Sequence, residues 1–135
     1  MKRAAIVLAK DLTGDEAAVT AALLAAQLAH STDWFGSAIG DRGEVDHCNP
    51  HYNVALLRGR RGQLHKLIHQ QSTGVEIYAL TAGSRARSND PETNRRVLTG
   101  SIVDSVELDG IAMSGPQDIV SLLTSKFSLY RGDTR

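Results

Sequence analysis

The fold is decided by residues 3–30, RAAIVLAKDLTGDEAAVTAALLAAQLAH. Residues 3–9 are rich in Ile, Val and Leu and precede a polar pair, which predicts a buried strand that ends there. Thr13 and Glu16 have the spacing of a capping box, in which each residue's side chain accepts from the other's backbone N–H. A helix is therefore predicted to begin here and to continue through the Ala- and Leu-rich remainder. Because its apolar residues occupy nearly all faces, we expect this helix to be well covered.

The rest of the chain continues to alternate strands and helices. The pattern predicts strands over residues 53–57, 75–80 and 108–113, with a last extended piece over 127–130. It predicts helices over residues 63–71, 90–103 and 116–123, the second of them with Asp90 as N-cap and Pro91 at the first helical position. Such alternation indicates an α/β fold, in which helices cover both faces of a sheet.

Length and composition limit the class of protein. A chain of 135 residues with 41% hydrophobic and 22% charged residues is ordinary for one globular domain, predicted here over residues 1–135. No run approaches the roughly 18 apolar residues of a membrane helix, so we predict no membrane association. Only six apolar residues follow Met1-Lys2-Arg3, too few for a secretory signal, so a cytoplasmic location is expected. The lone Cys48 excludes an internal disulfide and is expected to be a buried or half-buried thiol.

Charges cancel over the whole chain but not locally. Fifteen basic residues balance fifteen acidic ones. Residues 58–96 carry a net charge of +5, whereas residues 1–57 carry −3 and residues 97–135 carry −2. A positive middle is compatible with a localised anion-binding surface, and equally with solvated loops.

The histidines raise the question of a metal. His47, Cys48 and His51 lie within five residues, and His65 and His69 share a helix face. The second pair lacks the Glu of a zinc-protease helix, and a solvated pair on a polar helix face explains it without a metal. We predict no metal site and no cofactor.

Two polar segments have residues suited to anions. The turn Arg58-Gly59-Arg60-Arg61-Gly62 could hold a phosphate or RNA, although a basic solvated turn is the commoner explanation. Residues 81–88, TAGSRARS, follow a predicted strand, at the kind of position where α/β sheets bind ligands. Their hydroxyls and arginines suit an anionic ligand, and a polar connector is the alternative.

Residues 31–52 form a long segment with little periodicity. It contains three glycines and an Asn-Pro step, which predict turns. Trp34 and Phe35 within it either pack against a second copy of the chain or anchor the segment to its own core.

Two stretches resemble the opening and closing motifs of type II peptidyl-tRNA hydrolases. They are residues 6–12, IVLAKDL, before the helix that carries Gln27 and His30, and residues 110–116, GIAMSGP, continuing through Ile119, Leu123-Thr124 and Leu129-Tyr130. More closely, nearly the whole chain resembles an uncharacterised bacterial branch of that superfamily, the domain-of-unknown-function 2000 family. The resemblance implies a three-layer α/β/α sandwich with a mixed sheet of four to five strands.

The resemblance does not supply the functional residues of those hydrolases, which cleave the ester that joins peptide to tRNA. They enter the first helix through Gly-Lys-Gly-Lys with a catalytic lysine, where this chain has Gly14-Asp15-Glu16-Ala17. Their catalytic Asp before Ala-Gly corresponds to Thr81 here. Without that cation and that carboxylate, ester hydrolysis lacks its expected charge stabilisation and acid–base groups.

The leading hypothesis is a non-hydrolytic binding module for a small anionic ligand or a nucleotide-bearing partner such as RNA. Its predicted cleft is lined by Lys10, Asp11, Thr81, Ser84 and Arg85. The alternatives are a divergent hydrolase acting on peptidyl-tRNA or a related ester, and a structural homo-oligomer, of which a homodimer is the simplest form.

Overall fold

The computed structural model describes residues 1–43, 45–70 and 74–131. Its strands are β1 (Lys2–Ala9), β2 (Ile39–Gly40), β3 (Asp46–His47), β4 (Asn53–Gly59), β5 (Glu76–Thr81), β6 (Leu108–Pro116) and β7 (Ser128–Leu129). Its α-helices are α1 (Gly14–Ser31), α2 (Arg61–Ile68), α3 (Ala82–Ala86), α4 (Pro91–Thr99) and α5 (Gln117–Leu123), and a 3-10 turn spans Val103–Ser105. None of the described helices is both long and apolar enough to cross a membrane.

Five strands form one mixed sheet in the order β5-β6-β1-β4-β7. The central strand β1 is parallel to β4 and antiparallel to β6, and the two outer strands β5 and β7 are antiparallel to their neighbours. The predicted mixed sheet of four to five strands is confirmed. β2 and β3 pair separately as a small hairpin.

Alternation along β1 separates two cores. Ala4, Ile6 and Leu8 pack with the apolar face of α1, whereas their neighbours Ala5, Val7 and Ala9 pack with α2 and α5 on the other side. Successive strand residues point to opposite faces, so β1 is buried on both of them. The predicted α/β/α arrangement in three layers is therefore confirmed.

Helix α1 begins as predicted. The Thr13 hydroxyl accepts from the Glu16 N–H at 3.2 Å, and Glu16 Oε1 accepts from the Thr13 N–H at 2.9 Å. The expectation that the helix is covered on nearly all faces is wrong, because Val19 is 47% exposed and only one stripe of α1 meets the sheet. Alanine is a strong helix former whether buried or exposed, so an Ala-rich composition does not report burial.

Several element boundaries differ from those predicted. Helix α2 begins at Arg61 and ends at Ile68, and the predicted end at Gln71 lies outside the described residues. Helix α4 ends at Thr99 before Gly100, short of the predicted end at residue 103, where the separate 3-10 turn begins. Strand β6 continues through Pro116, which was predicted to open a helix, because Pro116 still lies opposite Lys2 of β1.

Trp34 and Tyr52 attach the segment of residues 31–52 to the core. Trp34 is only 4% exposed, and its Nε1 donates to the Tyr52 carbonyl oxygen at 3.3 Å. Phe35 is 41% exposed. Self-association through this segment remains a prediction. Cys48 is exposed, contrary to the expected buried or half-buried thiol, because the turns around it leave its side chain uncovered.

Candidate functional site

A buried carboxylate lies where β1, β5 and β6 approach α2 and α3. Asp109 is the second residue of β6, and its side chain has no exposed surface. One oxygen accepts from Arg61 Nη1 at 3.1 Å, and the other accepts from Arg85 Nε at 2.5 Å. A buried carboxylate is tolerated only when it is paired and hydrogen-bonded, and the two guanidiniums supply both the pairing and the hydrogen bonds for Asp109.

Arg61 is almost fully occupied by neighbouring acceptors. It is the first residue of α2, and its Nε and Nη2 approach the two oxygens of Asp11 at 3.2 and 3.0 Å. Its Nη1 also donates to the Leu108 carbonyl oxygen at 2.6 Å. Burial lowers the pKa of Arg61, but the hydrogen bonds to Asp11 and Asp109 outweigh it and raise the pKa above its ordinary value.

Arg85 is less occupied than Arg61. Besides its bond to Asp109, its Nη2 lies 3.5 Å from Glu16 Oε2, a distance longer than a hydrogen bond of good geometry. Within residues 1–43, 45–70 and 74–131, its Nη1 has no hydrogen-bond or ion-pair partner, and the side chain is 24% exposed. The bond to Asp109 raises the pKa of Arg85, which therefore keeps its charge.

Four carboxylates and two guanidiniums make up this group, hereafter the Asp109 cluster: Asp11, Glu16, Arg61, Arg85, Glu107 and Asp109. Its net charge is −2. The acids are unevenly placed, since Asp11 and Glu107 flank Arg61 and only Glu16 flanks Arg85 on its exposed side. An anion can therefore approach Arg85 with less repulsion than it would meet at Arg61.

The structure brings together part of the predicted cleft. Asp11 and Arg85 are linked through Arg61 and Asp109. Lys10 precedes Asp11 in the chain and has an exposed side chain. The backbone N–H of Lys10 donates to the Gly59 carbonyl oxygen at 2.8 Å.

The two predicted hydroxyl residues, Thr81 and Ser84, make hydrogen bonds within the protein. The Thr81 hydroxyl accepts from the Ser84 N–H at 2.9 Å, and the Ser84 hydroxyl donates to Asn94 at 2.8 Å. The Thr81 hydroxyl thus caps α3, and the Ser84 hydroxyl connects α3 to α4. Their role in holding a ligand remains a prediction. The predicted polar connector after β5 is therefore partly helical.

Four residues of the cluster were not predicted to meet there: Glu16, Arg61, Glu107 and Asp109. Asp109 has one signal in the sequence, an acid inside the apolar strand Leu108–Met113, where an unpaired charge would be costly. Arg61 belongs to the basic turn 58–62, for which phosphate binding was the less common of two explanations, and its guanidinium is held by Asp11 and Asp109.

Three of the five histidines have side chains held by protein groups. His65 has its ring nitrogens 3.1 Å from the Arg61 carbonyl oxygen and 2.9 Å from that of Val106. His69 lies 2.7 Å from Asp104, and His47 lies 2.9 Å from Asp41. Among the residues that the structure describes, no group of three metal-ligating side chains forms.

Fold and site together define a mixed α/β protein with a buried carboxylate between two arginines at the end of its sheet. The chain belongs to the family described as protein of unknown function (DUF2000), whose model matches residues 2–131. It is similar to the solved structure of a protein of unknown function from Agrobacterium tumefaciens strain C58, with 18% identity and a TM-score of 0.75 over 96% of this chain and 98% of that chain. That likeness shows the fold alone. No curated protein matches the chain.

Proposed function

We propose that the chain is a binding module that holds the anionic group of a small molecule, or of a nucleotide-bearing partner, at Arg85 without hydrolysing it. The observation that carries the proposal is the bond from Arg85 Nε to the buried Asp109. This bond fixes the guanidinium while Nη1 has no partner among the described residues. An oriented guanidinium loses less side-chain entropy on meeting an anion and presents the planar fork that matches phosphate and carboxylate.

Charge placement supports binding in preference to ester hydrolysis. The resemblance to peptidyl-tRNA hydrolases implies a cation at the start of α1 and a carboxylate after the strand that precedes α3. This chain has Glu16 at the first place and Arg85 near the second, and the two face each other at 3.5 Å. Of the other exposed acids of the cluster, Asp11 is held through both oxygens by Arg61, and Glu107 lies 3.8 Å from Arg61 Nε. The ion pairs with Arg61 make both carboxylates weaker general bases.

The Arg85 proposal is tested by calorimetric titration at low salt with adenosine monophosphate and with inorganic phosphate. We expect saturable binding, weakened about tenfold or more in Arg85→Gln, since a hydrogen bond to a charged group contributes about 1.5–3 kcal/mol. Arg42→Gln removes the same charge from an exposed loop and should leave the affinity unchanged. Arg85→Lys keeps the charge but loses the fork, so its affinity should lie between those of the wild type and Arg85→Gln.

The same preparations separate binding from hydrolysis. Incubated with peptidyl-tRNA, the folded wild type should cleave the ester no faster than buffer. Turnover that disappears in Lys10→Ala while the thermal melt is unchanged would contradict the non-hydrolytic proposal. The absence of saturation with either phosphate compound and with tRNA would contradict binding at Arg85.

A further inference from the structure

A concave surface lies on the opposite side of the sheet from α1. It is the groove between α2 and the end of α5, of about 350 Å³, hereafter the α2–α5 groove. Its charged lining residues are Arg60, Lys66 and Lys126, and no acidic residue lines it within the described part of the chain. Pockets of roughly 300–1,000 Å³ are the usual size for small-molecule sites.

The three cations of the α2–α5 groove are available to a ligand. All three side chains are exposed, and none of them is paired with an acid in the described ranges. They contrast with Arg61 and Arg85, whose charges are offset by neighbouring carboxylates. Cations of one sign around a concave surface produce a positive potential that attracts anions.

The floor of the groove is apolar. Leu123 and Phe127 are half-buried against the core beneath α2 and α5, while Leu122 at the rim is 74% exposed. Phe127 is held close to the backbone of Gly59, since a Cβ there would meet the ring at 2.5 Å. The fixed aromatic ring of Phe127 can therefore pack against the apolar part of a ligand, while the anionic end of the ligand pairs with the exposed lysines.

We infer that the α2–α5 groove binds a small soluble organic anion that joins a phosphate or carboxylate head to a short apolar chain. Charge complementarity selects the head, and the side chains of Leu122, Leu123 and Phe127 select the apolar part. The site shares no residue with the Asp109 cluster, so the inference does not depend on the function proposed for Arg85.

Three probes separate the two contributions: hexyl phosphate has head and chain, inorganic phosphate has the head alone, and hexan-1-ol has the chain alone. In two-dimensional amide NMR of the full chain, hexyl phosphate should saturate and shift the signals of Lys66, Lys126 and Phe127. The other two probes should bind at least tenfold more weakly. Equal affinities for hexyl phosphate and inorganic phosphate would show an exposed basic surface without an apolar subsite and would overturn the inference.

Variants test the same groove. The double change Lys66→Gln and Lys126→Gln should weaken hexyl phosphate binding about tenfold or more, because both side chains are exposed and the fold does not rely on them. Leu122→Ser should weaken hexyl phosphate binding several-fold and leave the affinity for inorganic phosphate unchanged.

Arg85→Gln is the matched control and should not change binding at the α2–α5 groove. Loss of hexyl phosphate binding in Arg85→Gln, with none in the double lysine variant, would place the ligand at the Asp109 cluster and overturn the inference. So would binding to anionic phospholipid vesicles without any to hexyl phosphate.

Discussion

Replacing Asp109 by asparagine is expected to lower the free energy of unfolding by about 3–5 kcal/mol, as the loss of one partner from a buried ion pair does. Asparagine keeps the shape of the aspartate side chain but removes the negative charge that both Arg61 and Arg85 contact. Because the two arginine side chains are only 24% exposed, water replaces that charge poorly. The loss of unfolding free energy should lie toward the lower end of this range, because each arginine keeps an ion pair with an exposed carboxylate. Urea unfolding followed by circular dichroism measures it.

Asp11→Asn is the matched control for this prediction. It removes the same kind of charge from the same arginine, but the Asp11 side chain is 68% exposed. Exposed ion pairs contribute about 0–1 kcal/mol, so the midpoint of unfolding should move little. Equal losses for the two variants would contradict a special role for the buried carboxylate. An ordinary domain has a free energy of unfolding of only about 5–15 kcal/mol, so the Asp109→Asn variant would remain folded by a small margin.

Local sequence rules predict the opening β–α unit well. The capping box of Thr13 and Glu16 and the apolar run before it depend on residues within a few positions of one another. Helix α3 and the end of α4 were missed because each depends on contacts made elsewhere, such as the hydrogen bond from Ser84 to Asn94. Chain-local patterns describe where an element starts more reliably than how far tertiary packing lets it continue.

The candidate site shows the same division between local and distant contacts. Arg85 was predicted as a ligand residue from its position after a strand, and Asp11 from the family resemblance. Asp109, which joins them, lies 24 residues from Arg85 and 48 residues from Arg61. Amino-acid composition shows that a region is basic. It does not show that some of its arginines are already ion-paired with carboxylates from distant parts of the chain.

Gly115→Ala is expected to lower the free energy of unfolding by about 1–3 kcal/mol, the usual cost of adding an atom to a filled interior. A Cβ on Gly115 would lie 2.8 Å from the Gly74 carbonyl oxygen and 3.1 Å from Val75 Cα. Both are backbone atoms, so relief requires the chain that enters β5 to move away from β6. The prediction is measured by urea unfolding of the full chain.

Gly62→Ala is the control that makes the Gly115 result interpretable. Gly62 lies in α2, and a Cβ added to it would have no neighbouring atom within 4 Å outside its own helical turn. Alanine there should therefore raise the free energy of unfolding by about 0.5–1 kcal/mol through helix propensity. Opposite signs for the same chemical change would show that close backbone approach, and not glycine content, gives Gly115 its place in the closing motif. If Gly115→Ala were as stable as the wild type, β5 and β6 would not be packed as closely as the contact distances require.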